Sequence, residues 1–264
     1  MGARSTVILG LGLEVGTAMA VRFQESGHKV LIADANEKRA DKARAALSDD
    51  IDVVHANLHS HAGIDGCFVR ALESVERLEN LVLVPRIPKA ERLADLDPKE
   101  FSKLLDQIVT GGALAIRLFT AWLMEQEQVA EARVDQSRHR GSVTIVLSNA
   151  VSSGLPGQFN VQVLQGAAQS LMRAAALELA EHGIRVNAVQ ALRPRAEKER
   201  WLDARTPLGR AALADEIADA AIYLSSRQAA IITGETLVLD GGRSLLSGLL
   251  RTVSETELSP LKED

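Results

Sequence analysis

The chain has one tyrosine, Tyr223, and no lysine between Lys103 and Lys198. Any chemistry that needs a phenolic acid beside an ammonium group in the middle of the chain is therefore excluded. It has one cysteine, Cys67, which excludes a disulfide framework and a cysteine-built metal cluster. It lacks an excess of basic charge. Lysine and arginine number 30 against 35 acidic residues, for a net charge of -5, and the two signs are interspersed, which argues against nucleic acid or an anionic membrane as the main partner. A long uninterrupted hydrophobic run is also missing. The most apolar stretch, Ile108–Leu123, carries two glycines and Arg117 and is expected to be a helix buried by protein rather than a membrane span. The opening MGARSTVILG has no signal-peptide pattern, so the expected location is cytoplasmic. There is no repeat and no low-complexity block.

What is present is an apolar fraction of 46% over 264 residues, enough to fill the core of one α/β domain. Short β-branched runs alternate with longer helical periods, the pattern of a parallel sheet covered on both faces. Seven strands are expected, at Thr6–Leu11, Lys29–Ala33, Asp52–His55, Asn80–Val84, Ser142–Leu147, Arg185–Val189 and Thr236–Leu239. Residues 1–244 make the domain, with a charged, solvated insertion at about 125–141 and a tail at 245–264.

The first functional signal is Gly10-Leu-Gly12-Leu-Glu14-Val-Gly16, which follows a strand and opens a helix. Glycines there let the backbone turn sharply and approach a pyrophosphate lying on the helix N-terminus. Asp34 stands 18 residues after Gly16, where a carboxylate binds a ribose 2′-hydroxyl and repels a 2′-phosphate, favouring NAD over NADP. The alternative is that Asp34 and Asn36 only form a turn and cap the next helix. His55, His59 and His61 cluster without a fourth ligand and fit surface exposure better than a metal site. No metal is expected. Tyr223, in EIADAAIYLSS beside Ile217 and Ala220, reads as a core residue.

The run SNAVSSGLPGQFNVQVLQGAAQSLMRAAALELAEHGIRVNAV from Ser148 to Val189, together with TPLGR, DEIADAAIYLSS and ITGETLVLDGG further on, resembles the short-chain dehydrogenase/reductase family, 3-oxoacyl-carrier-protein reductase type. The resemblance implies a Rossmann-like doubly wound α/β fold with about seven parallel strands in a single domain. It also implies a catalytic serine, a tyrosine thirteen positions later and a lysine four beyond that, positions that are here Ser148, Val161 and Gln165. The family's relay asparagine aligns with Ile108, the middle glycine of its first turn with Glu14, its Asn-Asn-Ala-Gly turn with Leu83-Val84-Pro85-Arg86, and its Pro-Gly turn with Ala191-Leu192. Asn57 stands where the family often has an adenine-contacting aspartate.

The resemblance thus implies an adenosine half that is partly kept (Gly10, Gly12, Gly16, Asp34, Asn57) and a nicotinamide half that is lost. Glu14 and Arg86 are expected to block the cleft and to meet as a charge-assisted pair; Glu14 otherwise only complements the helix dipole. Ser148 has no base to activate it. The expected function is a noncatalytic structural or regulatory subunit that binds no cofactor tightly, with NAD preferred over NADP if any is bound. The alternatives are an atypical NAD(P)-dependent oxidoreductase and an adenine-nucleotide-sensing module. By the same resemblance the partner is another copy of the chain or an active paralogue, joined through the helices around Ile108–Leu123 and Val161–Glu181, and a charge at Ala168 is the expected disruptor.

Overall fold

The computed structural model describes residues 4–12, 14–75, 77–129, 139–148, 156–191 and 206–246. Seven parallel strands form one sheet in the order β3-β2-β1-β4-β5-β6-β7. They are β1 (Arg4–Leu9), β2 (His28–Asp34), β3 (Ile51–His55), β4 (Asn80–Leu83), β5 (Gly141–Ser148), β6 (Ile184–Ala191) and β7 (Thr236–Leu239). The helices are α1 (Glu14–Glu25), α2 (Glu37–Ala46), α3 (His61–Leu72), α4 (Pro98–Leu105), α5 (Gly111–Val129), α6 (Phe159–Leu179) and α7 (Ala214–Ser225). The near-continuous apolar strands β1 and β4 to β6 are buried on both faces, as a parallel sheet requires. One face packs on α3, α5 and α6 through residues such as Phe68, Phe119 and Met172, and the other on α1, α2 and α7 through Met19, Phe23 and Ile217. Because strand order reverses between β1 and β4, a crevice opens at their C-terminal ends, the usual ligand position in such sheets.

All seven expected strands are present, with ends shifted by at most two residues. Other expectations need correction. The stretch expected as one helix from Ile108 is part of a longer run in which α4, a five-residue π-helical turn at Asp106–Thr110 and α5 follow without a break. Its 29 residues from Pro98 to Gln126 are long and apolar enough to cross a membrane. Ile108, Ile116, Phe119 and Leu123 are nevertheless core residues, so the run serves as a core helix. Residues 125–129, assigned to the charged insertion, are the last turns of α5, and residues 130–138 lie outside the described residues. Tyr223 is 40% exposed rather than core, because Ile217, Ala221 and Leu224 fill the buried face of α7.

A buried polar chain crosses four strands near their N-terminal ends. The Thr6 hydroxyl lies 2.9 Å from His28 Nδ1, Asn80 Nδ2 donates to Ser5 O (3.3 Å) and Thr6 Oγ1 (3.4 Å), and Ser142 Oγ donates to Asn80 Oδ1 (2.7 Å). Burial, assisted by Arg4, lowers the His28 imidazole to about 4, and burial followed by Arg185, Arg227, Arg77 and Arg4 lowers His139 to about 4. Both rings are neutral in the fold while the unfolded chain takes up protons near the ordinary value of about 6.5. The stability they contribute is present above pH ~6.5 and is lost as pH falls toward ~4, on the order of 2 kcal/mol per ring after allowance for partial hydration. Thermal melts should therefore drop steeply between pH ~6.5 and ~4, and His28→Gln should remove about half of that slope.

Candidate functional site

The glycine turn forms as its sequence requires. Gly10 has φ of 101°, and a Cβ on it would run into the Val84 carbonyl oxygen; one on Gly16 would strike Leu11 O. The turn is tied by Gly10 N–H to Ala33 O (2.8 Å) and Gly16 N–H to Leu11 O (2.9 Å). Glu14 is the exposed first residue of α1 and suits the helix dipole there.

The expected Glu14–Arg86 pair is not formed. Among the described residues the ion pairs include neither side chain. The reason is one of layers. Glu14 opens α1, whose buried residues Val15, Met19 and Phe23 pack with α7, whereas Arg86 joins the wall of a cavity whose inner residues Leu83, Ile108 and Ala168 belong to the opposite layer. Arg86 is exposed and lines that cavity.

Asp34 ends β2 almost fully buried, at 3% exposure. Its Oδ2 accepts from Leu11 N–H (2.9 Å), and its Oδ1 accepts from Asn36 N–H (2.7 Å) and from Arg39 Nε (3.1 Å) and Nη2 (2.6 Å). Asn36 caps α2 by accepting from Arg39 N–H (3.0 Å). Asp34 therefore builds the turn, and little acceptor capacity remains for a ribose diol unless Arg39 swings away. Arg39 was not singled out by the sequence; its place three residues after the Asn36 cap was the available signal. Asn57 lines the same cleft and spends its Oδ1 on His59 N–H (3.1 Å).

At the positions that the resemblance assigns to the family's catalytic residues, Val161 is 3% exposed, Gln165 0% and Ile108 7%. Gln165 Oε1 accepts from Ser148 N–H (2.7 Å), which pins the C-terminal end of β5 to α6. Gln165 Nε2 is buried and, among the described residues, has no hydrogen-bond partner. Neither Val161 nor Ile108 can donate or accept a proton. Asn160, beside Val161 and missed by the sequence reading, is 1% exposed. Its Oδ1 accepts from Glu91 N–H (2.9 Å), its Nδ2 donates to Lys89 O (2.8 Å), and Phe159 N–H donates to Glu91 O (2.9 Å). These bonds clasp the segment after β4 onto the start of α6. Ala191 ends β6, while residues 192–205, with the aligned Pro-Gly position at 192 and Arg193-Pro194-Arg195, lie outside the described residues.

A cavity of about 700 Å³ opens in the crevice, lined on its polar side by Gly10, Gly12, Asp34, Asn57 and Arg86 and on its inner side by Leu83, Ile108, Ala115, Ile145 and Ala168. His59 on its wall has a pKa lowered by partial burial and then by Lys103. His55, His59 and His61 are exposed, and among the described residues no group of three metal-binding side chains is gathered. The cavity walls fit the adenosine half of a dinucleotide in part, since the turn is formed and Asp34 lies at its edge. Of the positions that the resemblance places on the nicotinamide side, Ile108 lines the cavity and offers only hydrocarbon, and Val161 is not among the lining residues.

Residues 13–244 match the profile of a family described as enoyl-(acyl carrier protein) reductase. The short-chain dehydrogenase RED2 of Pyricularia oryzae is 34% identical over 173 residues, 61% of this chain and 62% of that protein, so the match spans less than two thirds of it. The short-chain dehydrogenase srdC of Neurospora crassa is 29% identical over 258 residues, 92% of this chain and 89% of that one. Among solved structures, the 3-ketoacyl-(acyl-carrier-protein) reductase from Brucella melitensis, complexed with NADH, superposes with a TM-score of 0.79 at 27% identity, over 91% of this chain and 98% of that one.

Proposed function

Since the chain belongs to the short-chain dehydrogenase/reductase family, 3-oxoacyl-carrier-protein reductase-like, we propose that it is a member that keeps the fold without the hydride-transfer chemistry, acting as a structural or regulatory subunit with itself or with an active paralogue in the cytoplasm. One observation carries this reading. The 2.7 Å bond from Ser148 N–H to Gln165 Oε1 turns the serine and lysine positions into a strut between β5 and α6, while Val161, 3% exposed, is a hydrocarbon side chain at the position that the resemblance gives to the acid. A positioned general acid typically contributes about 10² to 10⁴-fold to rate, and Val161 and Ile108 have no group that could supply it.

On α6 the proposed association is best probed at Leu177, an apolar residue 82% exposed in the single chain. Ala168 is 2% exposed within a single chain, so a charge there reports on the fold rather than on an interface. Leu177→Glu is the sharper disruptor. Native mass spectrometry of the protein from its own cells should find it in an oligomer, and light scattering should show Leu177→Glu shifted to monomer. A wild type that is monomeric in both measurements would remove the subunit reading.

A second reading, an NAD(P)-dependent oxidoreductase using other groups, is favoured by the open cleft at Gly10, Gly12 and Asp34 and by the dehydrogenase names of the relatives. Under either reading Arg39 controls the ribose end. In calorimetric titrations Arg39→Ala should improve NADH affinity roughly several-fold by releasing the buried Asp34 carboxylate from the half-exposed Arg39 guanidinium. NADH binding unchanged in that variant would show that Asp34 takes no part.

A further inference from the structure

The inner part of the cavity has a different character from its nucleotide-facing side. Its wall is drawn from the core of the α3/α5/α6 layer, with Leu83, Leu104, Ile108, Ala115, Ile145 and Ala168 all in one apolar cluster. The space exists for identifiable reasons. The helix widens into the π-helical turn Asp106–Thr110, the next two residues on the wall are Gly111 and Gly112, and Ala115 and Ala168 contribute only methyl groups. No polar side chain among those six wall residues offers a hydrogen bond to a base or a sugar. No Phe, Tyr or Trp is among the described lining residues, so a flat ring has no stacking surface there, while branched aliphatic walls suit a hydrocarbon chain. Ligand sites of about 300–1,000 Å³ with mostly apolar walls and a few polar groups at one end are the usual form of small-molecule pockets.

Among the described residues the rim supplies one cation outside any ion pair. Arg39 is held by Asp34 at 2.6 Å, and nearby Lys103 stands 3.9 Å from Glu100. Arg86 lines the rim, is exposed, and among the described residues makes no ion pair. A guanidinium presents paired N–H donors that match a carboxylate. We propose that the cavity binds an amphipathic carboxylate, with its aliphatic chain between the π-helical turn, α5 and α6 and its head group on Arg86. The site stands whether or not the chain turns over a dinucleotide, and its occupancy is the means by which a noncatalytic subunit of this kind would sense a small molecule.

The test is isothermal titration of the full chain with sodium hexanoate, octanoate and decanoate and with 1-decanol. Decanoate should bind saturably at one site, with each two-carbon extension tightening binding on the order of tenfold, as expected for buried methylene groups. Arg86→Ala should weaken decanoate about fivefold, the scale of a partly exposed ion pair, and leave decanol unchanged. Ala115→Met, which fills the inner wall, should weaken all four ligands; should it misfold, the exposed Arg86 variant still decides the matter. No saturable decanoate binding up to about 1 mM, or equal affinity for the wild type and the Arg86 variant, would overturn the assignment. None of these outcomes depends on turnover, so the site and the noncatalytic reading fail separately.

Discussion

Installing Val161→Tyr together with Gln165→Lys should destabilise the protein by about 3 to 5 kcal/mol and yield no measurable ketone reduction. Gln165 is fully buried and its Oε1 is the acceptor for Ser148 N–H. Lysine removes that acceptor and brings an ammonium to a position where, among the described residues, no carboxylate is bonded, and removing a buried acceptor alone costs about 1 to 3 kcal/mol. Tyrosine at position 161 must be fitted where valine is 3% exposed, and overpacking of this kind costs typically about 1 to 3 kcal/mol. For a chain of this size, that total corresponds to a fall in melting temperature of roughly 10 °C. Scanning fluorimetry and a coupled NADH assay on the same preparation read both halves of the expectation. A double variant as stable as the wild type that reduces ketones would show that the cleft had lost only two side chains.

Arg185→Ala should cost a comparable amount, about 3 to 5 kcal/mol, for an unrelated reason. The Arg185 guanidinium is buried and donates to Leu224 O (2.6 Å), Ser226 O (3.1 Å) and Ile232 O (3.4 Å), with its Nε 3.4 Å from His139 Nδ1. It thereby holds the C-terminal end of α7 and the turn after it against β6. Burial lowers its pKa to about 10, so it remains charged at neutral pH. Alanine would leave three carbonyls without this donor. Chemical denaturation should show a lower midpoint with an unchanged slope, since the surface exposed on unfolding is the same, and Arg185→Lys should recover only part of the loss because one ammonium cannot span the three acceptors.

The strands were legible because each is a short β-branched run set between helical periods, and a parallel sheet buried on both faces imposes that pattern directly. The Gly10 turn was legible because its constraint is local: positive φ and a close carbonyl leave no room for a side chain. The misreadings share a different cause. Whether Glu14 meets Arg86 depends on which face of the sheet each segment joins, and no spacing in the chain encodes that. The Asn160 clasp links residues 69 to 71 positions apart, and Asn160 has no local pattern to announce it. Gln165 was read as the loss of a lysine; only its contact with Ser148 N–H gives it a positive role. Asp34 carried two open readings, and its bonds to Leu11, Asn36 and Arg39 favour the turn and cap while leaving the ribose dependent on Arg39. Tyr223 was placed by helical period alone, which locates a face but not its edge.

The most direct test of the central claim is steady-state turnover of the purified wild-type chain with NADH and with NADPH, over a panel of ketones and 3-oxoacyl thioesters. With Val161, Gln165 and Ile108 at the aligned positions, the expected result is oxidation of neither cofactor above the protein-free rate. Turnover on the order of 1 s⁻¹ or faster with any of these substrates, within the ordinary range of enzymes, would contradict it.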